Sequence, residues 1–150
     1  MDFSYDVFTS AFLAKVTEYD MVTLSTDIRT TIVDGYMRRA LAEFGDCCDL
    51  DFLGNADDDQ RLFNNITIDD ATLIEIQDII SDGMVVQWLR PYLYRIENLE
   101  LTLNTRDFTT YSSANLLGAI RETYNNAHRR FIFACREYSY RHGDLTDLHI

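Results

Sequence analysis

Turn-forming residues are scarce. One Pro and six Gly in 150 residues leave too few break points for an all-β sandwich, and favour long helices with few connections. Basic residues are scarce too: thirteen stand against twenty-five acids, for a net charge of −12. Nucleic-acid binding draws its affinity from Lys and Arg neutralising phosphates, and adhesion to anionic membranes needs the same charges, so this balance argues against both. Lysine is nearly missing. Lys15 is alone beside twelve arginines. The planar guanidinium suits bidentate contact with carboxylates at interfaces, although a genomic composition bias gives the same count. No run approaches the ~18 apolar residues of a membrane span.

Cysteine lacks a pattern. Cys47 and Cys48 are adjacent and Cys135 is remote, with no C-x-x-C and no Cys/His spacing. Neither a zinc site nor a disulfide framework is indicated, and reduced, buried thiols are expected. The start, Met1-Asp2-Phe3-Ser4-Tyr5-Asp6, has no basic or apolar region of the kind a signal peptide uses. Catalytic signatures are missing as well: no G-x-S-x-G elbow, Walker A loop, G-x-G-x-x-G turn or H-E-x-x-H pair occurs. His128, His142 and His149 have no motif around them and read as surface histidines. The expectation is a protein without catalytic residues, metal or cofactor.

What is present is helical periodicity. A first helix is expected over 7–18, where Phe8, Ala11, Phe12 and Val16 share a face. A second begins at a Ser25 or Thr26 cap with Asp27 in its first turn. It carries the stripe Ile28, Ile32, Met37, Leu41, Phe44, joined by Val33, Tyr36 and Ala40, with Arg29, Arg38 and Arg39 outside. Gly45 stands where a C′ glycine would stop it. A third helix is expected over 68–90, capped by Thr67 and followed by Asp69 and Asp70. Leu73, Ile76, Ile80 and Met84 form one stripe. Ile74, Ile79, Val85, Val86 and Trp88 make most of the remaining surface apolar, as in the central helix of a bundle. Pro91 is expected to end or kink it. Residues 92–111 fit either a strand or a helix. The last helix is the clearest. Ser112 is its cap, and Leu117, Ile120, Tyr124, Ala127, Phe131, Ala134 and Tyr138 step by three and four in a heptad-type seam. Gly143 ends that pattern.

Between the second and third helices, 46–66 is a loop or a small hairpin with its tip near Gly54-Asn55-Ala56-Asp57. Asp49, Asp51 and Gly54 match three positions of an EF-hand loop, but Leu53 and Gln60 stand where two further ligands are needed, leaving weak calcium binding at most. The expected fold is therefore mainly α: a single domain over 1–150, a bundle of about four helices with a long acidic loop or small β-hairpin between the second and third. The first few residues and the tail 143–150 are expected to be flexible.

Charge is sorted along the chain. Over 43–82 twelve acids face Arg61 alone, about −11; over 112–141 five arginines face Glu122 and Glu137, about +3. A subunit acidic in one part and basic in another can pair head to tail with its own copies, and such contacts close into rings when the rotation permits. Asp78 and Asp82 are like charges at i, i+4, a cost that an arginine of a neighbouring subunit would relieve.

Several stretches together resemble the small neck proteins of tailed bacteriophages. Phe63-Asn64-Asn65-Ile66-Thr67-Ile68-Asp69-Asp70-Ala71-Thr72-Leu73-Ile74-Glu75-Ile76 resembles the F-x-x-x-L-T-x-x-E-I-E-I-L entry to their central helix. Gln87-Trp88-Leu89-Arg90-Pro91 resembles the E-W-L-K-P at its end. Thr105-Arg106-Asp107-Phe108-Thr109-Thr110-Tyr111-Ser112-Ser113-Ala114-Asn115-Leu116-Leu117 is similar to T-K-D-Y-x-x-Y-S-P-A-N-x-L, and Glu137-Tyr138-Ser139-Tyr140 to a Y-S-Y ending. The likeness covers about half the chain; Ser113 replaces the usual Pro and Gln87 the usual acid. It implies a head–tail connector, or adaptor: a virion structural protein in the neck, present in the host cytoplasm before assembly. Its partners would be other copies in a ring, expected to be a dodecamer, the portal protein, and a stopper or tail-completion protein. Double-stranded DNA would cross the lumen without specific binding, and no membrane is involved. Interface candidates are Arg121, Arg129, Arg136, Tyr138 and Tyr140. Asp57, Asp58 and Asp59 are candidates for the lumen wall. The alternative is a monomeric or dimeric helical protein-binding or regulatory module, with weak calcium binding in the acidic loop.

Overall fold

The computed structural model describes residues 2–16, 26–46, 50–104 and 111–142. Four helices and a three-stranded sheet build it. In chain order these are β1 (Phe3–Ser4), α1 (Asp6–Lys15), α2 (Thr26–Gly45), a short 3-10 turn (Leu53–Asn55), β2 (Ala56–Asp57), β3 (Leu62–Phe63), α3 (Asp70–Asn104) and α4 (Tyr111–His142). The mainly helical bundle expected from periodicity is the fold, with the small hairpin β2–β3 between α2 and α3.

Residues 2–5 are tied to the hairpin. β1 pairs antiparallel with β3, Phe3 opposite Phe63, so β3 is the centre strand in the order β1-β3-β2. Asp2 Oδ1 accepts the Asn65 N–H at 2.9 Å, and the Tyr5 N–H donates to the Arg61 carbonyl at 3.0 Å. Phe3 and Tyr5 are buried. Their rings, with those of Phe8, Phe52 and Phe63, form one aromatic cluster; the Phe63 ring lies 5.3 Å from Phe3 and 4.6 Å from Tyr5, with Phe8 at 5.7 Å and Phe52 at 5.8 Å. Burying several rings against one another, tilted or edge-on, offsets the ordering of so short a sheet.

The hairpin turns later than expected. Its tip is Asp58 to Arg61, and Gly54 instead closes the 3-10 turn, donating its N–H to Asp51 Oδ1 at 2.7 Å. Asp57 Oδ1 accepts the N–H groups of Asp59 and Gln60, both at 3.1 Å, which is an Asx-type turn. Positive φ falls on Arg61 and Asn65 and on no described glycine. Gly45 is accordingly an ordinary last helical residue and not a left-handed cap.

α3 is the hub. It packs against α1, α2 and α4. Asp69, not Thr67, caps it: the Thr72 N–H donates to Asp69 Oδ1 at 2.7 Å. The helix also runs through Pro91 to Asn104, giving a length of about 52 Å. That settles 92–104 as helix, while 105–110 lie outside the described residues. Ile76, Ile80, Met84 and Val86 are fully buried; Ile74, placed in the apolar surround by sequence, is 66% exposed. On α2 the buried stripe is Val33, Met37, Ala40, Leu41 and Phe44, and Ile28 is exposed. Gly83 is where three helices meet. A Cβ there would stand 2.6 Å from the Phe131 ring of α4 and 3.0 Å from Ala40 Cβ of α2.

Lys15 ties α1 to α3. Its Nζ lies 2.9 Å from Asp78 and 2.8 Å from Asp82. Burial works against its charge, but hydrogen bonds to Asp82 and Asp78 outweigh that and raise its pKa. Lys15 thus relieves part of the repulsion between the two aspartates from within the chain.

Candidate functional site

α4 has two apolar faces. The inner one carries Phe131, Cys135 and Tyr138, all buried against the core, flanked by half-buried Ile120, Tyr124, Ala127 and Ala134. This is the heptad-type seam. Its contacts with α3 run antiparallel: Arg90 donates to the Tyr124 hydroxyl at 3.1 Å, Gly83 faces Phe131, and Glu75 pairs with Arg141 and His142. A polar bridge completes the junction with α2. The amide of buried Gln87 donates to Glu43 at 3.2 Å, and Arg90 in turn donates to Gln87 Oε1 at 3.4 Å.

The outer face is uncovered. Phe133 is 63% and Tyr140 73% exposed, seven residues apart, and Arg129 and Arg136 repeat at the same interval beside them. Phe133, Arg129 and Arg136, with Asn125, His128 and Ile132, line a shallow groove of about 390 Å³. Phe131-Ile132-Phe133 explains how this arises. Successive helical residues turn by about 100°, so three apolar residues in a row cannot all face one core. Among the described residues neither Arg129 nor Arg136 meets a carboxylate.

The remaining candidates divide. Arg121 is exposed on the same helix. Tyr138 is buried within the chain, away from the outer face: it is 3% exposed, with its ring 5.1 Å from Phe44 and stacked on His142 at 4.3 Å. Of the three lumen candidates only Asp59 presents an uncommitted carboxylate. Asp57 is occupied by the turn amides, and Asp58 by Tyr5 and Arg38. His128 stacks on Tyr124 at 6.0 Å, and His149 lies outside the described residues, as do Cys47, Cys48, Asp49 and the tail 143–150. Among the described residues no three Asp, Glu, His or Cys side chains are grouped to hold a metal, and no helix is long and apolar enough to cross a membrane.

Two clusters escaped the sequence. Arg61, the lone base of the acidic stretch, grips Asp34 of α2 through Nε and Nη2, both at 2.8 Å, and reaches Asp6 of α1 at 3.0 Å. Its guanidinium also lies over the Tyr5 ring at 5.7 Å. Next to it, the Tyr5 hydroxyl donates to Asp58 Oδ1 at 2.5 Å, and Arg38 pairs with the same carboxylate. Arg38 first, then Tyr5, hold the Asp58 carboxyl below its usual range. Burial, with the Asp58 hydrogen bond added, pushes the Tyr5 phenol up to about 12.

That shift sets a pH dependence. Up to about pH 10 the phenol is protonated in both states and its contribution is complete; between about 10 and 12 the unfolded chain loses the proton first, and stability declines. The melting temperature of wild type is therefore expected to fall more steeply across that interval than that of Tyr5→Phe. The difference between the two curves removes the other tyrosines. Parallel curves would contradict the Tyr5–Asp58 pairing.

No family model, curated protein or solved structure matches this chain.

Proposed function

We propose that this chain is a non-enzymatic structural subunit of a tailed-phage neck, forming a ring that joins the portal to downstream neck or tail components while DNA passes through. One observation carries the reading most: the outer face of α4. The helix spans 32 residues, about 48 Å, and satisfies the core with one face only. Exposed Phe133 and Tyr140 flanked by arginines have the composition of an interface core, where aromatics and Arg are enriched. Single exposed apolar residues are ordinary, whereas a rimmed aromatic stripe along a helix marks a surface meant to be covered. The resemblance of 63–140 to connector sequences supports the same reading. So does the acidic hairpin, whose exposed Asp59 suits a wall that DNA must not adhere to.

Imaging tests this. Purified protein mixed with portal-bearing capsids is expected to add a ring of density below the portal in negative stain. A chain that neither binds portals nor forms rings under any of these conditions would end the connector reading and favour the monomeric binding module.

A further inference from the structure

The surface that covers the outer face of α4 is on the molecule itself. We infer that the aromatic and arginine stripe of one copy seats on the N-terminal part of α3 in the next copy, around Asp70, Ile74 and Asp78. This rests on the ring reading and gives it a specific contact.

Three observations carry it. The first is chemical. Ile74 is 66% exposed, and Asp70 and Asp78, four residues to either side on the same helical face, are exposed acids. An apolar centre with an acidic rim complements the aromatic stripe of Phe133 and Tyr140 with Arg129 and Arg136 beside it. Lys15 does not cancel the charge, because one ammonium serves both Asp78 and Asp82. Asp70 meets no base among the described residues.

The second is geometric. α4 runs antiparallel to α3, with Glu75 beside Arg141 and His142 and Gly83 beside Phe131. Ile74 is therefore level with the Tyr140 end of the stripe, and Asp78 lies between that level and Phe133. Glu75 turns to α4, whereas Asp78, on the Ile74 face, is held by Lys15 of α1. The two surfaces lie at one height on different flanks of α3. A side-by-side contact between copies then needs little axial shift, as a closed ring requires.

The third weighs against the simplest rival. An isologous contact, with the stripe on its own copy, would bring the Arg129 and Arg136 of both copies together. Like charges across an interface oppose association, and the acid between Phe133 and Tyr140, Glu137, supplies one negative charge per copy against those two arginines.

The test is site-specific photo-crosslinking between isotopically light and heavy copies, assembled alone and on portal rings, with the same samples viewed in negative stain. A benzoyl-phenylalanine probe is placed at position 133, and in a second variant at position 140. Light–heavy products joined through residues 69–82 of the second copy are expected from at least one probe. Rings whose crosslinks fall elsewhere, on α4 of the second copy for example, or rings with no crosslink at either position, overturn this contact and leave the ring reading standing. Samples with neither crosslinks nor rings overturn both.

Discussion

Phe131→Ala is expected to cost about 3–5 kcal/mol of stability and to lower the melting temperature by roughly 10 °C. The side chain is fully buried, and its ring is pressed between α4 and the Gly83 backbone of α3. No side chain at Gly83 can move into the space the ring would leave, so the cavity persists. The converse change tests the same contact. Gly83→Ala puts a methyl 2.6 Å from the ring, an overpacking worth about 1–3 kcal/mol. That penalty should shrink in a Phe131→Leu background, because neighbours that share a contact are not additive. Thermal or denaturant unfolding of the four chains reads this directly. Equal costs for Gly83→Ala in both backgrounds would mean that the helices do not meet there.

Phe133→Ala, two residues further along the same helix, is expected to do the opposite. Its side chain is 63% exposed, so stability should change by no more than about 0.5 kcal/mol. Assembly should suffer instead. An aromatic anchor at the centre of an interface contributes about 2 kcal/mol or more, roughly thirtyfold in affinity at each contact. Every copy in a ring makes that contact twice, so the loss compounds and closed rings should disappear at concentrations where wild type forms them. Sedimentation velocity and melting curves on the same preparations separate the two effects. A variant that melts early, or one that assembles like wild type, would contradict the assignment of Phe133 to the outer face.

These two phenylalanines also show what could be read from the sequence. The inner seam of α4 was legible because its residues recur by three and four, and a helix with that pattern has one way to bury it. Tyr138 belongs to that seam, and its spacing already placed it on the inner face. The outer stripe carries the same kind of signal in Phe133 and Tyr140, seven apart, but it is shorter and interrupted by charge. The acidic region between α2 and α3 was legible as a loop or a small hairpin, though not the place of its turn. Gly54 had the freer backbone, yet Arg61 took the positive φ, because Asp34 and Asp6 hold its side chain from two other helices. Such tertiary anchors leave no trace in local spacing. Lys15 with Asp78 and Asp82 is of the same kind, a contact across more than sixty residues.

Pro91 shows a local rule overridden. A proline inside a helix loses one hydrogen bond and crowds the preceding turn, about 3 kcal/mol in an isolated helix. α3 continues across it nonetheless. Trp88 and Tyr92 pack their rings 5.5 Å apart on either side of the proline, and Arg90 is held by Tyr124 of α4. Packing on both flanks outweighs the defect, and the long apolar run before it was the better guide.

Hydroxyl-radical footprinting of Phe133 and Tyr140, in the free chain and in portal-bound assemblies, tests most directly whether other protein chains complete this molecule. Reactivity at both positions should drop in the assembly to near that of buried Phe131. If both side chains are oxidised as readily in the assembly as in the free chain, the outer face of α4 is not where the subunit is held.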